Sequence, residues 1–535
     1  MGDFAQERCQ GVVYTKRWIV DMVLDLAGYV SGSGIVDKVV VEPSCGCGAF
    51  MTAIAERLAK EAMLMERPWM DLADSARGYD ISPASIEKTR HALICSLVQN
   101  GCPEQDAACI AGKWLTCGDF ILSLVPSCDF VVGNPPYVRA TEIGRRQRAL
   151  YCKLLPSVTN GCDLYVSFFD KGLEVLKTGG ALCFICADRW LQNAYGRRLR
   201  QRVGASCSLS ALVRMHGVDA FESSVDAYPA ITLIRRAPPA GRIRFVDCRP
   251  DFGPEGSGRI MKWLRKPERP LHSSQFDAFE MDRPEKDAVY PLGNSDSVGF
   301  VNRAMKKLPS LEESGIRIGI GVATGCDRVF ITCVDDLVEA ERMLPLFSMR
   351  DYRRGKPGTR RWLVNPWNDD GTLVDLDEYP RLKAYFEDNA EALRNRHVAR
   401  GNKMNWYRTI DRLIPGLTRR DLLLMPDMAT TSDPVLSRGL YPAHNTYWIA
   451  SDAWDLHVLG GLLMADTTRR FVDALGVKMR GGTMRFQAQY LRLVRLPAPD
   501  QIRQSIKNGL AAAFDNGDRD AATRLAEAAY GEAMK

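Results

Sequence analysis

A chain of 535 residues, 46% hydrophobic and 25% charged, is too long for one core and calls for two or three domains of ordinary globular composition. No apolar run approaches the roughly 20 residues a spanning helix needs, and the polar start MGDFAQERCQGVV lacks a signal-peptide pattern, so a cytosolic protein is expected. A net charge of +6 does not by itself mark a polyanion-binding protein; where the charge sits says more.

The first 236 residues alternate strand-like and helix-like segments. IVDKVVVEPSCGCGAF reads as a short apolar strand breaking into a Gly-rich turn, followed by a helix over MTAIAERLAKEAML. RGYDISPASIEKTRHALICSLVQ repeats the plan: strand, turn, helix. WLTCGDFI and CDFVVGNPPY supply two more strand ends. In the second, two adjacent prolines have no N–H to give and end the strand. DLYVSFFDKGLEVLKTGG is an amphipathic helix that Gly179-Gly180 is expected to stop. ALCFICADRW and YPAITLIRR are the next strands. This alternation predicts a parallel sheet with helices on both faces.

After Arg236 the regularity ends. RAPPAGR reads as a junction and RPDFGPEGSGR as a Gly/Pro-rich loop. The remainder is mixed, without repeats or heptads. DTTRRFVDALGVKMRGGTMRFQAQYLRLVRLPAP is its most ordered piece, and IRQSIKNGLAAAFDNGDRDAATRLAEAAYGEAM reads as helix. The expected division is residues 1–250 and residues 251–535.

All 16 cysteines precede residue 334. The pairs Cys45/Cys47 and Cys183/Cys186 invite a zinc reading. In a strand such as ALCFICADRW, however, positions i and i+3 face opposite sides, and no second pair stands at ligand spacing. Reduced, mostly buried thiols and no metal are expected.

The chemistry gathers at strand ends, where open α/β sheets hold ligands. Glu42 leads into Pro43-Ser44-Cys45-Gly46-Cys47-Gly48; the glycines permit positive φ and close ligand approach, and the next helix offers free N–H groups there. Asp80, at the second strand end, is placed to accept from ribose hydroxyls; the alternative is an ordinary surface acid. Asp119 could accept from an exocyclic adenine amine, with Phe120 against the ring. Four consecutive strand ends carrying glycines, an acid, an acid with an aromatic, and Asn134-Pro135-Pro136-Tyr137 jointly describe an adenosine-containing cofactor beside a reactive site.

That order resembles the class I S-adenosylmethionine-dependent methyltransferases, and more narrowly the gamma-class DNA adenine-N6 methyltransferases of type II restriction–modification systems. The likeness extends over nearly the whole chain. It includes GVVYTKRWIVDMVLDLAG before the Gly-rich turn and the later pieces GVATGCDRVF, MRDYRR and GGTMRFQAQYLRLVRLP. Lys16 stands where that family usually has proline. The resemblance implies a doubly wound Rossmann-like catalytic domain (1–250) and a mixed α+β target-recognition domain (251–535). It implies S-adenosyl-L-methionine held by Thr15, Glu42, Pro43, Ser44, Gly46, Gly48, Asp80, Ile81, Asp119 and Phe120. Asn134, Pro135, Pro136 and Tyr137 would form the catalytic set, with Phe221 as a second ring gripping the target base. Double-stranded DNA would be the partner, with a cognate restriction endonuclease encoded separately. A monomer in a prokaryotic cytoplasm, associated with the nucleoid, is expected.

The physics of Asn-Pro-Pro-Tyr agrees with that chemistry. An aromatic amine is a weak nucleophile, since its lone pair is delocalised into the ring. Two acceptors aimed at its N–H groups, Asn134 Oδ1 and the Pro135 carbonyl, stabilise positive charge as it develops. Pro136 restricts the residue before it, and Tyr137 would stack on the base. A base inside a duplex cannot be reached and must be flipped out, at about a few kcal/mol. The same planar-amine chemistry serves enzymes acting on RNA or on a protein glutamine amide. Those are typically shorter, with an extra domain before the cofactor domain. A non-catalytic DNA-binding specificity subunit is the rival from another class; the intact motif opposes it. A cytosine-C5 enzyme needs a Cys nucleophile, usually after proline, and no Pro-Cys dipeptide occurs. A fused nuclease is not expected, because little chain precedes Gly11 and no D…(D/E)-x-K arrangement stands out in the second half.

Residues 350–420 hold 16 Lys/Arg against 10 Asp/Glu, interleaved with Trp362, Trp367, Trp406 and Tyr407. A solvated helical surface is the bland reading and phosphate contact the sharper one. Arg353, Arg354, Arg360 and Arg361 cluster beside Trp362, and Arg485, Arg492 and Arg495 form a late group. Arg353, Arg354, Arg361 and Arg485 are the expected DNA-binding set.

Overall fold

Val40, Val41 and Glu42 are all buried, the mark of a strand covered on both faces. In the computed structural model, which describes residues 13–223, 228–285, 287–353, 361–401, 403–476 and 484–535, this strand lies inside a ten-stranded sheet. The strands are β1 (Val40–Glu42), β2 (Ala76–Asp80), β3 (Leu115–Cys117), β4 (Cys128–Gly133), β5 (Leu176–Ala187), β6 (Ser208–Arg214), β7 (Pro229–Arg235), β8 (Arg242–Cys248), β9 (Leu271–His272) and β10 (Phe276–Asp282). Their order is 3-2-1-4-5-7-6-8-10-9. β1 to β5 are parallel. β7 runs antiparallel between β5 and β6, β8 is parallel to β6, and β10 is antiparallel to both β8 and β9. The sheet is therefore mixed rather than all-parallel. The strand order reverses between β1 and β4, which opens a crevice at their carboxyl ends.

The helices are α1 (Arg17–Ala27), α2 (Ala49–Leu64), α3 (Pro83–Gln99), α4 (Glu104–Trp114), α5 (Arg145–Leu154), α6 (Tyr165–Val175), α7 (Arg197–Ser206) and α8 (Pro254–Arg265). Their start and stop signals are local. Ser82 Oγ accepts from Ser85 N at 3.2 Å, and Pro83 opens α3. Gly28, at φ 90°, closes α1. Period-two alternation divides the core between the sheet faces. Val40, Val132, Cys183 and Ile185 pack with α1, α2, α3, α4 and α8. Val41, Val131, Phe184 and Cys186 pack with α6 and α7. Cys183 and Cys186 thus lie on opposite faces. The described cysteines are free thiols, exposed at Cys95, Cys109, Cys117 and Cys333.

Gly179-Gly180 does not stop a helix. α6 ends at Val175 and the chain enters β5 directly. Gly179, at φ 81°, donates its N–H to Arg236 O at 2.8 Å, and Arg236 N donates to Gly180 O at 3.0 Å. A Cβ on Gly180 would lie 2.8 Å from Asp129 O. The pair lets β5 pass close to β4 where their register shifts. RAPPAGR is the turn from β7 to β8 rather than a junction, and Pro254 in the Gly/Pro-rich stretch begins α8. The first compact unit accordingly runs from Met1 to Gly299, beyond the expected boundary at residue 250, because β9 and β10 extend the same sheet past β8.

The second unit, Phe300–Lys535, is mixed α+β. Ile316–Ile320, Thr446–Ser451, Leu422–Pro426 and Val435–Ser437 form an antiparallel four-stranded sheet in that order. Ile331–Thr332, Trp362–Val364, Met343–Phe347 and Tyr441–Pro442 form another. The chain ends in two helices, Gln504–Asp515 and Arg519–Ala533, broken at Gly517 (φ 67°) and restarted by Asp518, whose Oδ1 accepts from Ala521 N at 2.9 Å. Among the described residues no helix is long and apolar enough to cross a membrane.

Because the added atom would meet the backbone oxygens of Asp129 and Lys177 as well as the Leu176 side chain, Gly180→Ala should destabilise the first unit by about 1–3 kcal/mol. Urea unfolding followed by circular dichroism reads this as a lower midpoint; an unchanged midpoint would mean that β4 and β5 separate freely there.

Candidate active site at the carboxyl ends of the strands

One cavity receives the ends of β1, β2, β3 and β4. Its walls include Thr15 from the N-terminal segment, Glu42, Pro43, Ser44 and Gly46 after β1, Asp80 and Ile81 after β2, Asp119 and Phe120 after β3, and Asn134 and Pro136 after β4. The structure therefore brings nearly all the expected cofactor-binding positions together. Gly48 stands just behind the wall as the residue preceding α2.

The Gly-rich turn is held by its neighbours. Gly46 (φ 51°) and Gly48 (φ 89°) are both left-handed, and a Cβ on Gly48 would come 3.1 Å from the Thr89 side chain. Thr89 Oγ1 donates to Gly46 O at 2.9 Å. Asp80 Oδ2 accepts from Gly46 N and Asp80 Oδ1 from Ser82 N, both at 2.9 Å. Glu42 is 2% exposed, and its Oε2 has no hydrogen-bond partner. Burial, and then the nearby Asp80, pushes the Glu42 carboxyl well above the usual carboxylate range. Ile81 stands 62% exposed at the lip, an apolar side chain that the fold leaves uncovered.

Asp119 is fixed by partners that sequence reasoning missed. Its Oδ1 accepts from Ile121 N at 2.9 Å and its Oδ2 from the Tyr151 hydroxyl at 2.5 Å; Gln147 Nε2 donates to that hydroxyl at 2.6 Å. Burial and the Asp119 bond push the Tyr151 phenol upward, so it stays a donor. Phe120 is buried and stacks on Phe168, ring centroids 5.8 Å apart. Gln147, Tyr151 and Phe168 all line the cavity, together with Glu142 and Ile143. The i, i+4 spacing of Gln147 and Tyr151 puts both on one face of α5, but no local signal aims that face at Asp119.

At the end of β4, Asn134 Nδ2 donates to Val13 O at 3.0 Å and to Thr15 Oγ1 at 3.1 Å. The Val13 carbonyl can only accept, so the amide nitrogen must face it. Oδ1 is left buried without a partner. Ser44 Oγ donates to Asn134 O at 3.1 Å, tying the Gly-rich turn to the motif. Pro135 is buried. Tyr137 packs against the cores of both sheet faces and meets Phe221 edge-on, centroids 6.2 Å apart at 80°. Neither ring lines the cavity.

Phe221 is 6% exposed and is placed by the N-terminal segment. Thr15 and Phe221 form an antiparallel bridge, Lys16 N donates to Ala220 O at 3.1 Å, and Glu222 N donates to Tyr14 O at 2.9 Å. Lys16 has φ −63°, the value a proline ring would impose. In proline's place it adds the bond to Ala220 and an ion pair to Asp219 at 2.5 Å.

In the second unit, Arg353 is exposed and donates to Met428 O at 3.3 Å. Met428 pairs with Arg485 in a two-stranded ladder, so Arg353 and Arg485 reach one patch. Arg485 is paired with Asp427 and Arg361 with Asp351, each at 2.7 Å. Arg492 and Arg495 pair with Glu312 and Glu313. Arg354 and Arg360 lie outside the described residues. Among the described residues no group of His, Cys, Asp and Glu has the arrangement of a metal site.

Strand order 3-2-1-4-5-7-6 with β7 reversed, a glycine turn and acids at successive strand ends, and an Asn-Pro-Pro-Tyr end on β4 define a class I methyltransferase fold. Within that class, the chain belongs to the type II methyltransferases of restriction–modification systems. It is 38% identical to Type II methyltransferase M.PaeR7I of Pseudomonas aeruginosa over 98% of this chain and 92% of that protein. It is 36% identical to Type II methyltransferase M.XhoI of Xanthomonas vasicola over 98% and 97%. The family model Eco57I restriction-modification methylase matches residues 124–221, a span holding both Asn134–Tyr137 and Phe221. The fold is similar to that of the Type IIL restriction-modification enzyme MmeI, solved in complex with DNA, with TM-score 0.57 and 13% identity over 96% of this chain and 72% of that one.

The backbone of Lys16 makes its own prediction. Lys16→Pro loses one hydrogen bond, about 0.5–1.5 kcal/mol, and an ion pair to the exposed Asp219 that contributes little, but fits the φ and stiffens the unfolded chain by about 0.4–1 kcal/mol. Stability by urea unfolding should change by no more than about 1 kcal/mol, whereas a larger loss would make the Lys16 N–H essential to the Phe221 loop.

Proposed function

We propose that the chain transfers a methyl group from S-adenosyl-L-methionine to N6 of an adenine flipped out of double-stranded DNA, at a specific sequence. The observation that carries this reading is the Asn134 amide. Its nitrogen is fully used by Val13 and Thr15, and its buried oxygen is left with an acceptor site and no donor. A buried unmet acceptor costs about 1–3 kcal/mol. An exocyclic amine supplies the missing donor.

The cavity residues fit an adenosine-bearing co-substrate. Glu42 Oε2 is a second buried polar atom without a hydrogen-bond partner. Asp80 and Asp119 keep lone pairs beyond the bonds they already make, and exposed Ile81 offers an apolar face for a ring. We assign Glu42 and Asp80 to the ribose side, Ile81, Asp119 and Phe120 to the adenine side, and Thr15 with the Pro43–Gly48 turn to the remainder. When bound, S-adenosyl-L-methionine supplies an electrophilic methyl group.

The chain's own part is to position and polarise. Asn134 Oδ1 and the Pro135 carbonyl accept from the two amine N–H groups, which favours the positive charge that grows on nitrogen during transfer. Pro136 holds that carbonyl's direction. The methylated amine is acidic enough to lose its proton afterwards without a dedicated base. Tyr137 and Phe221 would grip the base. Their edge-on contact leaves no slot for a third ring, so entry turns or displaces one of them, and Phe221, on the β6–β7 connection, is our choice for the ring that moves.

Residues up to Gly299 would carry catalysis and the second unit target recognition. Arg353, which has no carboxylate partner among the described residues, is the readiest phosphate contact of the proposed set. Arg361 and Arg485 would have to exchange Asp351 and Asp427 for phosphate, and Arg354 belongs to the proposal by sequence alone. A single flipped base needs one active site, which supports a monomer acting in the cytoplasm on nucleoid DNA. Relatives named as methyltransferases support a cognate endonuclease encoded separately.

Three measurements test these assignments. Asn134→Ala should cut methyl transfer to duplex DNA by at least about 100-fold, from 2.7–4 kcal/mol of lost stabilisation, with cofactor affinity by calorimetry little changed; turnover above about one tenth of wild type would remove Asn134 from the chemistry. Asp80→Ala should weaken S-adenosyl-L-methionine binding by roughly 1.5–3 kcal/mol with little effect on DNA affinity, and unchanged cofactor affinity would leave Asp80 as a holder of the turn only. Long-read sequencing of DNA from cells expressing the chain should find N6-methyladenine in one sequence context; methylated cytosine, or no modified base, would overturn the acceptor.

A further inference from the structure

Helix α5 has two chemically different faces. At 3.6 residues per turn, Gln147 and Tyr151 share one stripe, and Arg146, Ala149 and Lys153 the opposite one, with Arg145 beside it. The first stripe closes the cavity and is bonded to Asp119 through Tyr151. On the other side Arg145, Arg146 and Lys153 are exposed, and their side chains make no hydrogen bond or ion pair among the described residues. Several other cations of the same unit are engaged, Arg57 with Asp21 and Asp25, Arg67 with Asp71, Arg77 with Asp74, and Arg214 with Asp247, while scattered single charges such as Lys88 on α3 are exposed.

The fold itself gives no reason for this placement. The sequence of α5, RRQRALYCKL, contains no acid. Arg145 and Arg146 sit in its first turn, where the helix dipole disfavours positive charge. Two cations held there without a counter-charge call for an anion from outside. The position says which anion. Arg145 follows Tyr137 by eight residues, and the helix is anchored to the cavity wall, so its outer face moves with the reactive site.

We propose that the outer face of α5, through Arg145, Arg146 and Lys153, holds the phosphate backbone of the duplex beside the extruded nucleotide. The proposal rests on the reading of the Asn134 site as one that acts on DNA. It assigns these residues to sequence-independent grip rather than base readout, since phosphate contacts position a duplex without specifying it. Tyr151 then links the grip to the cavity, so the strand is held relative to the methyl donor.

The test uses the full-length chain and fluorescence anisotropy of labelled duplexes over a series of salt concentrations. Arg145→Gln with Arg146→Gln removes both charges and keeps a polar side chain of similar helix propensity. It should weaken binding equally for cognate and unrelated duplexes and lower the slope of log affinity against log salt by about 1.8, from about 0.9 per phosphate contact. Lys153→Gln, a milder change on the same face, should lower it by about 0.9. Lys88→Gln, which removes an exposed charge from α3, should leave the slope unchanged. An unaltered slope in the first two variants, a loss confined to the cognate sequence, or an equal drop with Lys88→Gln would overturn the proposal. Methyl transfer by the same preparations separates the two claims. A wild-type chain that bound duplex steeply with salt yet transferred no methyl would count against the Asn134 reading, while the slopes would still decide the surface.

Discussion

The side-chain amide of Asn134 is satisfied on one side only, and much of the first unit is arranged around that imbalance. The amide nitrogen is met twice, by the Val13 carbonyl and the Thr15 hydroxyl, and because that carbonyl can only accept, the amide cannot turn its oxygen towards it. The same short segment pairs with residues 220–222 and so sets the position of Phe221. It then runs straight into α1, which packs on the sheet under β4 and β5. One stretch of backbone therefore fixes the acceptor, the second ring and a wall of the cavity. An acceptor left bare inside a protein is destabilising on its own, and it persists where surrounding structure determines it.

The sheet makes that arrangement possible by bringing residues distant in sequence to one edge. β1 and β4 are neighbours, and their chains leave in opposite directions across the sheet, so the turn after β1 and the motif after β4 face each other. Ser44 Oγ closes the gap by bonding to Asn134 O. Tyr137 packs against both cores, which makes the end of β4 part of the sheet's interior rather than a free loop. Close packing below depends on missing side chains. A Cβ on Gly172 would approach Leu182 to 2.7 Å, and one on Gly180 would approach Asp129 O to 2.8 Å.

The strand ends were legible because their signals are local. Glycines that need positive φ, an acid closing a strand and a double proline are each readable within a few residues. Gly179-Gly180 misled because the same pair that ends a helix also permits a bulge, and only the neighbouring strand decides between them. The boundary at residue 250 came from the end of strand–helix alternation. The sheet continues past it through α8 and then β9 and β10, so alternation stops before the sheet does. Charge was readable as composition but not as pairing. The excess of Lys/Arg after residue 350 is real, yet Arg361 finds Asp351, Arg381 finds Asp336 and Arg419 finds Asp369, partners that a count cannot reveal. Tyr151 was invisible for a related reason: it meets Asp119 across 32 residues of chain.

The two acids of the cavity show how a protein can aim a carboxylate before its ligand arrives. Asp80 gives each oxygen to a backbone N–H, one from the turn after β1 and one from the start of α3, so its plane is set by two separate elements. Asp119 gives one oxygen to the backbone of Ile121 and the other to Tyr151. A carboxylate offers about four lone-pair sites, so in both acids the bonds already made direct those that remain. Side chains locked in this way lose little further freedom when a ligand binds, which removes part of the ordering cost of association. In the proposed reading Asp80 therefore serves the turn and the ribose with the same two oxygens. Its backbone bonds hold the Gly46 turn in place, and they leave its remaining lone pairs facing the cavity that the turn encloses.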